Sequence, residues 1–106
     1  MGNATASTSI GVGDIVCWDS GYSMFIPHFA RVTRRTPCTI VVAELETASV
    51  CDDGYGMCGT AVPTSVGTGM TMRCRARRDG SMFLTPGGRH AIRKWDGAPL
   101  PFDYMD

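Results

Sequence analysis

GDIVCWDSGYSMFIPHFARVTRRTPCTIVVAELE, residues 13–46, is the stretch of sequence that decides the fold. Apolar and other side chains alternate over 14–18 and 28–33, and β-branched residues are concentrated in 39–46. A period of two residues is typical of β-strands, whose successive side chains point to opposite faces. The polar residues 34–37 form a turn between the second and third runs, which predicts a hairpin. We expect these strands to build the first half of a small β-barrel.

Three further runs continue the pattern towards the C-terminus. Residues 70–77 and 81–85 are strand-like, and the Asp79-Gly80 pair between them is a strong hairpin signal. Residues 90–94 predict a last short strand. No segment has the apolar spacing of an amphipathic helix. The sequence therefore predicts an all-β fold of five to six antiparallel strands, a small SH3-like barrel or alternatively an OB-like barrel.

Glycine, proline and aspartate set the boundaries of the predicted domain. They are frequent in residues 47–69, which we predict to be a long central loop. Residues 1–10 are mostly small and polar, which predicts a flexible tail. We predict that residues 11–106 form a single β-barrel domain. The proline-rich and aromatic residues 95–106 predict an irregular segment that packs back on the barrel.

Composition limits the compartment and the partners. The formal net charge is zero, so no overall basic field draws the chain onto nucleic acid or membrane. The five cysteines are an odd number, and no signal-peptide pattern precedes them, which favours free thiols in a reducing cytoplasm. No apolar run approaches the roughly 18 residues of a membrane span. We expect a cytoplasmic protein with no membrane contact and no cofactor.

Arginines form two groups that could bind an anionic partner. Arg73, Arg75 and Arg77 share one face of a predicted strand, about 6.5–7 Å apart, which is close to the phosphate spacing of a nucleic-acid strand. The other candidates for this site are Arg78, Arg31, Arg34 and Arg35. Guanidinium groups bind phosphates and carboxylates in a bidentate manner. The alternative is that these arginines pair across the sheet with carboxylates, which are Glu44, Glu46 or Asp79.

Aromatic and apolar side chains near the first turn form a second candidate binding site. Its predicted residues are Trp18, Tyr22, Met24 and Phe25. Aromatic rings beside arginines can stack on unpaired bases, and exposed apolar residues in a loop can contact a partner protein. The competing interpretation is that these rings fill the barrel core.

The sequence contains no catalytic signature. Phosphate-binding glycine loops are absent, and no nucleophile motif accompanies His28 or His90, so we predict that the protein is not an enzyme. Cys51 and Cys58 flank a glycine-containing segment, and a zinc site through these thiols is a weaker alternative.

The opening stretch also resembles a group of small proteins from phages and mobile elements, which begin with a Gly-Asp strand and a Trp…Gly-Tyr turn. The matching residues are Gly13, Asp14, Trp18, Gly21, Tyr22, Phe29, Val32 and Val41. The resemblance implies a non-catalytic binding module in a bacterial host cell. Its most concrete form is an anti-defence inhibitor, such as an anti-CRISPR protein, that occludes a surface of a host or defence-system protein. Direct binding to nucleic acid through the arginine-lined strand is the alternative.

Overall fold

Seven β-strands account for nearly all regular structure in the computed structural model, which describes residues 10–20, 26–52, 58–77 and 83–103. At positions 51, 52, 58 and 103 it describes the backbone alone. The strands are β1 (Ile15–Asp19), β2 (Pro27–Arg35), β3 (Thr39–Asp52), β4 (Cys58–Ala76), β5 (Phe83–Leu84), β6 (Ala91–Lys94) and β7 (Leu100–Asp103). The all-β prediction is confirmed, with seven strands in place of the five or six expected.

Six of the strands close into a ring. Every pairing is antiparallel, in the order β3-β2-β1-β6-β5-β4, and a further pairing between β3 and β4 joins the two ends. The predicted hairpin of β2 and β3 is confirmed, with Val32 opposite Val42. β7 lies outside the ring, where it pairs with the first residues of β4.

The main core fills the inside of the ring, and each strand of the ring contributes the side chains of one of its two faces. Alternation predicts this because every second side chain of a strand points the same way. The buried members are Ile10, Val16, Trp18, Ala30, Val32, Ile40, Val42, Cys74, Phe83 and Ile92. The alternation of residues 14–18 predicts that Val16 and Trp18 lie on one face of β1 and that Ile15 and Cys17 lie on the other. The structure confirms this prediction.

A second, smaller core lies on the opposite face of β1, β2 and β3. Cys17, Phe29 and Leu45 are buried there, although they face away from the main core. Trp95 covers them, with its ring edge-on to that of Phe29 at a centroid distance of 5.7 Å. Leu100 at the start of β7 packs on the same cluster. The C-terminal residues therefore cover part of this outer face.

The prediction of a central loop at 47–69 is wrong for residues 47–52 and 58–69, which are strand, and residues 53–57 lie outside the described part of the chain. β3 continues to Asp52 and β4 begins at Cys58, so the two form one long hairpin with Thr47 opposite Pro63. Register shifts interrupt the pairing at three places, and such bulges accept glycine and proline in a strand. Gly69 has a φ of 91° inside β4, a value that side chains disfavour. The glycine and proline residues that suggested a loop therefore lie at irregular positions within strands.

Both predicted terminal segments also need correction. Ile10 was assigned to a flexible tail, but it is 1% exposed and belongs to the main core. Residues 1–9 lie outside the described part of the chain. The C-terminal segment was predicted to be irregular, whereas β7 pairs with β4, with Phe102 opposite Gly59. Among the described residues, no helix has the length and hydropathy to cross a membrane.

Candidate functional site

Strand register brings the two predicted arginine groups together on one outer face of the ring. Val41 of β3 lies opposite Arg34 of β2 on one side and opposite Arg73 of β4 on the other. Residues that are directly opposite in antiparallel strands point to the same face, so Arg34 and Arg73 flank Val41. This juxtaposition joins residues 39 positions apart in the sequence.

Two more arginines extend the same face. Arg31 lies opposite Ala43, which is two residues from Val41 and therefore on the same side of β3. Arg75 is two residues beyond Arg73 on β4 and lies opposite Thr39. All four side chains are exposed. We call these four residues the arginine surface: Arg31, Arg34, Arg73 and Arg75.

Two recesses meet at Arg73. The smaller one, of about 200 Å³, is lined by Arg34, Arg35 and Val41 among others. The larger one, of about 480 Å³, extends from Arg73 and Arg75 to the turn after β5. That turn is of type II, because Gly88 N donates to Thr85 O at 2.8 Å and Gly87 has φ 86° and ψ −4°. Arg73 is thus the central cation of a concave surface.

Glu44, one of the three carboxylates proposed as partners of these arginines, contacts other residues. Glu44 contacts His28 Nδ1 at 3.1 Å and accepts a hydrogen bond from Thr68 Oγ1. Asp14 pairs with Lys94. Asp79 lies outside the described residues. Within the described part of the chain, no ion pair to a carboxylate involves any residue of the arginine surface.

Arg35 has a structural role in contrast to its neighbour Arg34. Its Nε donates to the backbone oxygen of Ile10 and its Nη1 to that of Thr36 at 2.9 Å. Its guanidinium also lies over the ring of Phe83, 5.4 Å from the centroid. Arg35 therefore closes one end of the main core. Arg77 is exposed just after β4, and Arg78 lies outside the described residues.

The predicted aromatic site is not assembled by the described residues. Trp18 is 7% exposed in the main core, so its faces are not open to an incoming base. One face of its ring stacks on His28, with centroids 5.3 Å apart. Tyr22, Met24 and Phe25 lie outside the described part of the chain.

The thiols divide into buried and exposed groups. Cys17 and Cys74 are free and buried, while Cys38 is free and exposed. Burial raises the pKa of the Cys74 thiol to about 11, and burial also raises the pKa of Cys17. Among the side chains that the structure describes, no three metal-binding groups converge. Those of Cys51 and Cys58 are not among them, so the zinc alternative stays a prediction.

A polar triad at the other end of the ring was missed by the sequence reading. Ser20 Oγ lies 2.5 Å from His28 Nε2, and His28 Nδ1 lies 3.1 Å from Glu44 Oε2. These residues are in the β1–β2 connection, β2 and β3. A period-two reading of residues 28–33 does place His28 on the buried face with Ala30 and Val32, but nothing local pairs it with Ser20 or Glu44.

Comparisons with known proteins found no counterpart of this chain: no family model, no curated protein and no solved structure matches it. The predicted relationship to phage proteins therefore remains an expectation from the sequence.

Proposed function

We propose that this protein is a binding domain that engages the phosphate backbone of a single-stranded nucleic acid through the arginine surface. The observation that carries the proposal is the convergence of Arg34, Arg73 and Arg75 on one exposed face without a carboxylate partner among the described residues. In this proposal the ring is a small SH3-like barrel, with an OB-like barrel as the alternative.

Spacing and shape support a phosphate ligand. Arg73 and Arg75 are two residues apart on one face of β4, which separates them by about 6.5–7 Å, near the phosphate spacing of one strand. Arg34 is two strands away, at about 9–10 Å. The recess beside Arg73 and Arg75 also has room for a sugar or base at its type II turn. Small barrels of the OB type bind oligonucleotides on such a sheet face.

The test is a salt titration of binding to a fluorescent single-stranded oligonucleotide, followed by anisotropy. Four phosphate contacts predict a slope of log K against log salt of about −2.8, at about −0.7 per contact. Arg73→Ala is expected to weaken binding and to reduce the slope by about 0.7. Arg31→Ala, Arg34→Ala and Arg75→Ala are expected to act in the same direction.

Arg93→Ala is the matched control, because Arg93 is an exposed arginine on β6 that lines a different recess. It removes the same charge from another part of the ring and should leave the slope unchanged. Absence of binding at low salt, or equal slopes for Arg73→Ala and the unsubstituted protein, would refute the proposal.

The second candidate is occlusion of an acidic protein surface, as in the anti-defence inhibitor implied by the resemblance. The formal net charge of zero favours this candidate, since nucleic-acid-binding domains usually carry a basic surplus. The same arginine surface would then bind carboxylates in place of phosphates.

Affinity capture from nuclease-treated bacterial lysate separates the two candidates. A protein retained by the unsubstituted chain and by Arg93→Ala, and lost with Arg73→Glu, is the result expected for a protein partner. Capture that is abolished by nuclease, or equal capture by Arg73→Glu, would count against this second candidate.

A further inference from the structure

We infer that Ser20, His28 and Glu44 form a nucleophilic triad that transfers acyl groups from uncharged or cationic carboxylic esters to water. This activity goes beyond the proposed binding function and uses the opposite end of the ring. It rests on two hydrogen bonds, on the packing that fixes the imidazole, and on the groove beside it.

The three side chains have the connectivity that activates a serine. Ser20 Oγ is 2.5 Å from Nε2 of His28, and Glu44 Oε2 is 3.1 Å from Nδ1 of the same ring. With the proton on Nδ1 donated to Glu44, Nε2 is left as the acceptor for the serine proton. Such triads are defined by geometry and not by sequence position, and glutamate serves as the third member in some hydrolases.

Surrounding residues hold each member of the triad in place. The Trp18 ring stacks on His28 with an interplanar angle of 14°, which favours this orientation of the imidazole. Thr68 Oγ1 donates to the second oxygen of Glu44 at 3.4 Å. Ser20 N donates to Ile26 O at 3.1 Å, which fixes the backbone that carries the hydroxyl. A nucleophile, a base and an orienting carboxylate are therefore already positioned.

A groove of about 410 Å³ lies against His28 and Glu44. Ile26, Pro27 and Leu45 give it apolar walls, and Glu46 adds a carboxylate next to Glu44. These walls suit a small acyl group, and the negative charge disfavours an anionic substrate. The expected substrates are therefore esters without a free carboxylate or phosphate, unlike the anions expected at the arginine surface.

The reaction balances without any further group. Ser20 Oγ bonds to the ester carbonyl carbon as its proton passes to His28 Nε2, and the alcohol then leaves with that proton. Water next attacks the acyl-serine and gives a proton to Nε2, and the acid leaves as the proton returns to Oγ. The net reaction is ester plus water to acid plus alcohol. Glu44 stabilises the imidazolium that forms in both steps.

The first experiment is labelling with a fluorophosphonate, followed by intact-mass and peptide analysis. Attack by Ser20 breaks the P–F bond, so one phosphonyl group per chain is expected on the peptide that contains Ser20. Ser20→Ala should abolish this label. His28→Gln should slow it by about 10²-fold or more, because the general base is lost. Glu44→Gln should also slow the labelling of Ser20.

Ser65→Ala is the matched control, since Ser65 is an exposed serine of β4 outside the triad. It should label at the unsubstituted rate. Hydrolysis of p-nitrophenyl acetate should follow the same ranking of variants. An ester of the same phenol that carries a free carboxylate should react more slowly, and Glu46→Gln should narrow that difference.

A further variant tests the site even if Ser20→Ala does not fold. Ser20→Cys keeps a nucleophile beside His28 and should be alkylated by iodoacetamide faster than the exposed Cys38. Three results would each overturn the inference: labelling spread over several serines, an unchanged rate in His28→Gln with a native melting curve, or a thiol in Ser20→Cys that reacts no faster than that of Cys38.

Discussion

The buried thiol of Cys74 shows how one side chain makes stability depend on pH. Burial raises its pKa from the usual 9.0 to about 11 in the folded protein, so the folded state holds the thiol proton more tightly than the unfolded state does. The resulting contribution to stability is complete below pH 9. It is lost as the pH rises towards 11, because the unfolded thiol ionises first.

We therefore expect the free energy of unfolding to fall by up to about 1.4 kcal/mol per pH unit between pH 9 and 11 on account of Cys74. Urea denaturation at pH 8, 9, 10 and 11 measures this dependence. Cys74→Ala should show a shallower dependence, although it is less stable at every pH because of the cavity that it leaves. Parallel curves for the two proteins would contradict the assigned cause.

Single residues were predicted well where strand alternation decides their environment. Cys74 points inwards and Arg73 and Arg75 outwards, as the period of two requires. Alternation cannot identify contacts between strands that are distant in sequence. The proximity of Arg34 to Arg73, and that of Ser20 to Glu44, depends on register, which is set by bulges such as the one between Val32 and Arg34.

At the scale of the strand, β4 depends on a glycine at one of its bends. Gly69 has a φ of 91°, and a Cβ built on it would meet no atom within 4 Å. Any cost of adding a side chain there is therefore conformational. Gly67, only two residues earlier, lacks a positive φ of this kind, and its Cβ would come no closer than 3.6 Å to the backbone oxygen of Glu44.

Gly69→Ala is expected to lower the free energy of unfolding by about 1–2 kcal/mol, the cost of a left-handed conformation for a side-chain-bearing residue. Gly67→Ala should change it by no more than about 0.5 kcal/mol in the unfavourable direction. Chemical denaturation of both variants gives the comparison. Equal losses would mean that space, and not backbone conformation, limits substitution in this part of β4.

The sequence predicted a strand correctly only where its side chains alternate without an interrupting glycine or proline. The runs at 14–18, 28–33 and 39–46 correspond to strands because their alternation is uninterrupted. The long arms of β3 and β4 were missed since Pro63 and Gly69, which are typical of loops, occur in them at irregular pairings. β7 was missed for a related reason: it contains Pro101 and pairs with a segment that was itself read as loop.

At the scale of the whole molecule, Trp95 links the C-terminal segment to the ring. Its ring lies edge-on to Phe29, and its Nε1 donates to Ala98 O at 2.7 Å, which stabilises the chain between β6 and β7. Phe29 and Cys17 would otherwise present an apolar outer face to water. The two faces of β1 and β2 are thus buried by different parts of the chain.

Trp95→Ala is expected to cost about 2–3 kcal/mol, less than the roughly 3–5 kcal/mol of a fully buried aromatic residue because Trp95 is partly exposed. It should also make the Cys17 thiol reactive towards a maleimide, which peptide mass analysis can follow. Trp95→Phe keeps the aromatic contact and should protect Cys17. Protection of Cys17 in Trp95→Ala would show that other residues cover this face.

The pairing of β1 with β6 has a consequence for biosynthesis. Val16 and Cys17 leave the ribosome before their partners Lys94 and Arg93, which are translated almost 80 residues later. One hydrogen-bonding edge of β1 therefore stays open until β6 has been translated, and contacts of such high sequence separation form slowly. We expect the ring to close only after residues 91–94 have left the exit tunnel, so nascent chains depend on chaperones or on rapid release to avoid pairing with one another.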